Sequence, residues 1–279
     1  MKTFDNSGFA ALLALTTVMS AAGIDGVLPL MPAIGAAFSA EREAVQLTLT
    51  MFMLGIAVGQ LVHGPISDRF GRKPAIISGL LVTSVATAGC ALSTSIETLS
   101  VFRFVHGLAA SSGWLLARAV IRDRHERDDA ARVMSLMMVF HSAAPLLAPI
   151  IGAALTVAYG WEAMFVFLSV YSVSVAIFFA AVFKETIAAK ARDALSPGPI
   201  LRNFAEIARG RSFWAYTACA TASYGILFAF LSASADIVIV HLGQSELQYS
   251  YMFSGVMVGS VSGMLMSARL VEKFGGDRL

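Results

Sequence analysis

The sequence predicts an all-α membrane protein: a six-helix transmembrane bundle, a connecting segment, and the first two helices of a second bundle. Hydrophobic residues make up 57% of the 279 and charged residues only 14%, with a mean hydropathy of +0.73; a soluble domain carries about 25% charged residues. The charges crowd into gaps between eight long apolar runs, at 6–40, 44–67, 74–96, 98–117, 133–161, 163–183, 212–235 and 247–268. A helix needs roughly 20 residues to cross a hydrocarbon core of about 30 Å, and every run is long enough. The third observation is an internal repeat that relates the second run to the eighth.

The first run contains Asp25, Pro29 and Pro32 and far exceeds the roughly 7–15 apolar residues of a cleaved leader, so it reads as a retained helix. The second carries Gly55-xxx-Gly59 and ends in "GPISDRFGRKP", residues 64–74, a charged knot between two uncharged runs. The third follows at once, and the fourth holds Arg103 and His106. The fifth holds Pro145, Pro149 and Gly152, and the sixth closes the first bundle, residues 1–183. Residues 184–211, with "SPGP" and a basic balance, read as an interdomain linker with some amphipathic helix. Residues 212–279 hold the seventh and eighth runs. All but two of the 20 basic residues lie at the chain ends, in the linker, or in the turns after the second and fourth runs. The exceptions are Arg42 and Arg103. The positive-inside rule then places both ends and those turns in the cytoplasm.

The repeat has physical content. After Gly55-xxx-Gly59 comes Asp68-Arg69-Phe70-Gly71; after Gly259-xxx-Gly263 comes Glu272-Lys273-Phe274-Gly275. Small residues four apart let helices approach closely. Two bundles in parallel repeat are a transporter architecture, with the substrate site between them near the membrane midplane. Enzyme chemistry has no footing: there is no nucleotide loop, no nucleophile constellation and no metal cluster, hence no catalytic residue, no metal and no cofactor. Cys90 and Cys219 sit in different apolar runs without CxxC spacing and read as small apolar residues. A net charge of +2 points to no nucleic acid.

Asp25 is the one charge between residues 6 and 40. A carboxylate at the centre of a spanning helix costs roughly 2.5–3.5 kcal/mol, so it reads as a proton-binding group in a cavity, with a helix cap as the bland alternative. Gly26 and Pro29 just after it can loosen the helix. Arg103 cannot deprotonate and needs an acid, carbonyls or water, unless it snorkels to the surface. Asp25 is the expected partner. His106, three residues on, shares its face and either titrates or hydrogen-bonds. His141 and His63 raise the same question more weakly.

"GPISDRFGRKP" resembles the G-x-x-x-D-R-x-G-R-[RK] signature of the major facilitator superfamily. "IDGVLPLMPAI", "RFVHGLAASSGWLLARAVIRD" and "APLLAPIIGA" are similar to stretches of its Bcr/CflA-type drug-resistance exporters, which are drug:proton antiporters, and the likeness runs from residue 10 to 279. It implies that Gly64, Asp68, Arg69, Gly71, Arg72 and Lys73 form a conformational latch, with Gly64 and Gly71 permitting tight backbone. It implies an antiporter-like element at Pro145, Pro149 and Gly152, although alanine replaces two of that motif's three glycines. His106 stands where the family pattern R-x-x-Q-G has glutamine. The mixed-charge stretch "IRDRHERDDAARV" reads as a solvated turn or a gating contact. The family has twelve helices and this chain stops after eight, which reads as a fragment or a truncated product. The expectation is a multi-pass, proton-coupled exporter of drugs or small organic molecules in the bacterial inner membrane. Its partners are substrate, protons and lipid; it is powered by the proton gradient and monomeric when complete. The alternatives are a transporter of one metabolite and a non-transporting remnant.

Overall fold

Helices in this chain end where glycine, proline or charge interrupts them. The computed structural model describes residues 6–187 and 197–274. The helix α1 (Asn6–Asp25) stops at the acidic residue. A turn at Gly26 leads into a short 3-10 helix, Leu28–Leu30, and then into α2 (Met31–Phe38). Pro29 and Pro32 each stand in the first turn of their helix, where a missing N–H leaves no bond unmade. The breaking role expected of Gly26 and Pro29 is what the backbone shows.

The second span is α3 (Arg42–Phe70), and α4 (Arg72–Ala91) follows after one residue. That residue, Gly71, has φ of 111°, a conformation open to glycine and strained for any other residue. Gly64 differs from expectation. It lies inside α3, the helix runs past it to Phe70, and a Cβ there would meet nothing. The tight turn is made by Gly71 alone.

Ser95 and Thr98 form a reciprocal cap at the start of α5 (Ile96–Arg124). The fifth span is two helices, α6 (Arg127–His141) and α7 (Ala143–Tyr159), parted at Ser142. Pro145 explains the break, because its ring conflicts with the carbonyl of His141 four residues back. The sixth span is α8 (Glu162–Val182), and α9 (Pro197–Ala208) lies in the connecting segment, of which residues 188–196 are outside the described part. Then come α10 (Arg211–Ala235), a π-helical turn at Asp236–His241, and α11 (Glu246–Phe274). Gly275, the end of the repeated turn, also lies outside the described residues.

Seven of these segments are long and apolar enough to span a membrane: Asn6–Phe38, Arg42–Phe70, Arg72–Ala91, Ile96–Arg124, Arg127–Tyr159, Glu162–Val182 and Arg211–His241. The eighth expected span, 247–268, is helical within α11. Outward faces are apolar: Leu61, Val85, Val157 and Ile177 are each more than half exposed, as lipid-facing side chains would be.

The centre of the first bundle is α1, which packs on α5, α6, α7 and α8, while α5 also packs on α3 and α4. Glycine sets the closest of these crossings. A Cβ on Gly55 would fall on the Phe104 carbonyl oxygen, and one on Gly107 would fall on the Phe52 carbonyl oxygen, so α3 and α5 meet backbone to backbone. Gly113 meets Thr16 of α1 and Gly152 of α7 meets Gly26 in the same way. Gly259 and Gly263, the counterparts of Gly55 and Gly59 in the repeat, meet nothing among the described residues.

Candidate functional site

A cavity of about 380 Å³ lies between the first bundle and the pair α10–α11. Ser20, Ala21, Ile24 and Asp25 share one face of α1 and form one wall. Gln60 of α3, Ser111 and Trp114 of α5, and His141 and Pro145 at the α6–α7 break form the next. Tyr224, Leu227, Phe228 and Leu231 of α10, with Met257 of α11, close the far side. A mostly apolar concavity with a few convergent polar groups is the usual form of a small-molecule site.

Asp25 is half-buried at the cavity wall, and its carboxyl has no hydrogen bond or ion pair among the described residues. The two amides just after it are served by backbone: Gly26 donates to Ala22 O at 3.1 Å and Val27 to Ile24 O at 3.1 Å. Neither of these amides is capped by the Asp25 carboxyl. The carboxyl faces space that a ligand can enter.

Arg103 and His106 are brought together, but Asp25 is not with them. Arg103 is fully buried, so it does not snorkel, and no ion pair joins it to Asp25. Its guanidinium stands 4.2 Å over the Phe52 ring and 5.8 Å from that of Phe165, and Nη1 donates to His106 Nδ1 at 3.3 Å. The reason is helical phase. Gly23 is the α1 residue against Phe52 and His106, and Asp25, two residues on, points to nearly the opposite side. An arginine can only donate, so His106 Nδ1 accepts and its Nε2 carries the proton. Arg103 Nε, Arg103 Nη2 and His106 Nε2 are buried without a partner among the described residues.

The charged turn forms one network. Arg72 Nη1 donates to Asp68 at 2.6 Å and to Ser67 Oγ, and Nε donates to Asp123 of α5 at 2.8 Å. Glu185, just past α8, accepts the backbone N–H groups of Arg72 at 3.0 Å and Lys73 at 3.1 Å, capping α4. Lys73 Nζ donates to Ala180 O at 2.7 Å. Arg69 lies beside its exposed neighbour Phe70. In this arrangement Asp68 bonds within its own bundle.

The helix-5 prolines divide their work. Pro145 faces the cavity, whereas Pro149 offers its carbonyl to Ser250 of α11 at 3.0 Å, and Gly152 lets α7 close on Gly26 just after Asp25. Two features escaped the sequence reading. Arg42, the one basic residue in a loop on the opposite side, pairs with Asp236 on the π-helical turn at 3.0 Å, with His241 Nδ1 3.5 Å from the same carboxylate. His141 is tied to α1 through Thr17 at 2.9 Å. Both contacts join residues more than a hundred positions apart, and the lone Arg42 was the visible signal of the first.

Residues 13–279 match the Major Facilitator Superfamily. The chain is 31% identical over 271 residues to a bicyclomycin resistance protein homolog of Haemophilus influenzae, covering 97% of this chain and 68% of that protein. It is 28% identical over 265 residues to a chloramphenicol resistance protein of Pseudomonas aeruginosa, covering 95% and 62%. It thus spans about two thirds of the length of the curated relatives it matches. In fold it is similar to the bacterial homolog of the human lysosomal transporter Spinster, solved inward-facing and unoccupied: the TM-score is 0.78 at 19% identity, over 100% of this chain and 65% of that one. The family match over nearly the whole chain, the spanning helices and the cavity between bundles agree, and the chain belongs to the major facilitator superfamily of membrane transporters.

Proposed function

We propose that this protein is a proton-coupled exporter of drugs or other small organic molecules across the bacterial inner membrane. The observation that carries the reading is the Asp25 carboxyl, without a hydrogen bond or ion pair among the described residues and lining the cavity between the bundles. There a proton and a substrate compete for one acceptor, and competition for one site is the simplest way to couple their movements. The names of the relatives, resistance to bicyclomycin and to chloramphenicol, support the export of drug-like molecules. The test uses everted vesicles with an acid interior. Chloramphenicol should accumulate inside and partly dissipate the pH gradient, and nigericin should stop it. Accumulation that survives collapse of the gradient would contradict proton coupling.

Alternating access supplies the movement. The polar contacts between the bundles lie in the part of the molecule away from the charged turn: Arg42–Asp236, Gln46 Nε2 to Ser232 O at 3.1 Å, Ser250 to Pro149 O, and Ser254 to Leu146 O at 2.8 Å. Beside the charged turn no hydrogen bond or ion pair joins α10 or α11 to the first bundle among the described residues. By the positive-inside rule that end is cytoplasmic, so the arrangement is open inward and closed by the Arg42–Asp236 pair on the outside. The latch at Asp68 and Arg72 then acts in the opposite state, when the basic ends approach. Arg42→Ala and Asp236→Asn should each shift the population toward outward opening about fivefold, the worth of a half-exposed ion pair of about 1 kcal/mol. The double variant should add little to either single one. Spin-label distances between the start of α3 and the end of α10 measure this; unchanged distributions would mean the pair does not hold the outer side.

A further inference from the structure

His141 has one nitrogen committed and one without a partner among the described residues. The arrangement that satisfies both contacts of the Thr17 hydroxyl has it donating to Ala14 O at 2.8 Å and accepting from His141 Nδ1, 2.9 Å away. Nδ1 therefore carries the ring proton, and Nε2 is left with its lone pair. That nitrogen has no partner among the described residues, and His141 lines the same cavity as Asp25. The ring is held in place from two sides: by Thr17, and by Trp114, whose ring centroid is 4.6 Å away and which itself lies under the Arg118 guanidinium at 4.3 Å. A fixed tautomer on a fixed ring presents an acceptor of defined direction. Trp114, Tyr224 and Phe228 supply the flat apolar surface around it.

We infer that His141 Nε2 is a substrate-recognition group, accepting a hydrogen bond from an N–H or O–H of an aromatic or otherwise flat ligand whose body lies against Trp114. The inference rests on the cavity being the substrate site, as in the exporter reading above, and makes no use of proton coupling. It adds a specificity rule: molecules with a donor on a flat body are favoured over donor-free molecules of similar charge and bulk. An acceptor left unpaired in a buried site is what enforces such discrimination.

Two probes of equal charge separate this role from simple packing. Ethidium carries aromatic N–H₂ donors; tetraphenylphosphonium has none. Binding is measured on the purified chain in detergent, by ethidium fluorescence and by a phosphonium-selective electrode. His141→Asn keeps an amide where Nδ1 meets Thr17 and removes the outer acceptor, whereas His141→Gln places an amide oxygen near the Nε2 position. The asparagine variant should weaken ethidium about tenfold and leave tetraphenylphosphonium within about twofold. The glutamine variant should recover most of the ethidium affinity. No ethidium binding by the wild type, equal loss of both probes in His141→Asn, or no loss of either overturns the assignment. The exporter reading fails separately: if His141 discriminates the probes as expected but chloramphenicol accumulation ignores the pH gradient, only proton coupling is lost.

Discussion

Gly107→Ala should lower the thermal midpoint of the protein in detergent by roughly 5–10 °C, whereas Gly64→Ala should leave it unchanged or raise it slightly. Both glycines are in helices and both belong to conspicuous sequence stretches, so propensity alone treats them alike. Alanine is the better helix former by roughly 0.5–1 kcal/mol, which is the expectation at Gly64, where a Cβ meets open space. At Gly107 a Cβ lands on the Phe52 carbonyl oxygen, a backbone atom that cannot rotate aside. The α3–α5 crossing must then separate, and overpacking of this kind costs about 1–3 kcal/mol or more. Phe52 also holds Arg103, so the same change should disturb the buried guanidinium. Equal midpoints for the two variants would show that the crossing is looser than described.

Asp25→Asn should abolish transport driven by a pH gradient, a loss of about a hundredfold or to background, and should weaken substrate binding in detergent, because it mimics the proton-loaded acid with which substrate competes. The amide has nearly the volume of the protonated acid and can make similar hydrogen bonds in the cavity. It cannot release a proton. A carrier with the variant should exchange substrate down its own gradient but derive no work from protons. The α1 break should persist, because Gly26, Pro29 and backbone bonds make it without help from the carboxyl. If Asp25→Asn vesicles still concentrate chloramphenicol against its gradient, the coupling group lies elsewhere.

What could be read from the sequence was what one segment decides by itself. A single charge in a long apolar run, as at Asp25, cannot be hidden in lipid, and so its place in a cavity was legible. Gly71 was legible because a one-residue turn between two spanning helices demands a residue that tolerates positive φ. Gly64 looked equivalent only because the end of α3 could not be placed: Pro65 in the next position suggests a turn, yet the helix continues to Phe70. The expected Asp25–Arg103 pair failed on helix phase. Opposite charges in one bundle attract on paper, but Gly23 turns the other side of α1 to His106 and Phe52. His141 was ambiguous for another reason. A histidine on an apolar helix is uninformative until its partner Thr17 fixes the tautomer. Glu185, which caps α4 from beyond α8, is likewise a contact of tertiary structure alone.

Competition between substrate and proton at Asp25 is the central claim, and proton release on substrate addition tests it most directly. Purified wild-type protein in a weakly buffered detergent solution, prepared at a pH where the site is loaded, receives chloramphenicol while a pH indicator records the change. The account predicts acidification that saturates with substrate and is absent from Asp25→Asn at matched occupancy. Equal acidification by both proteins, or none by a wild type that binds the drug, would contradict it.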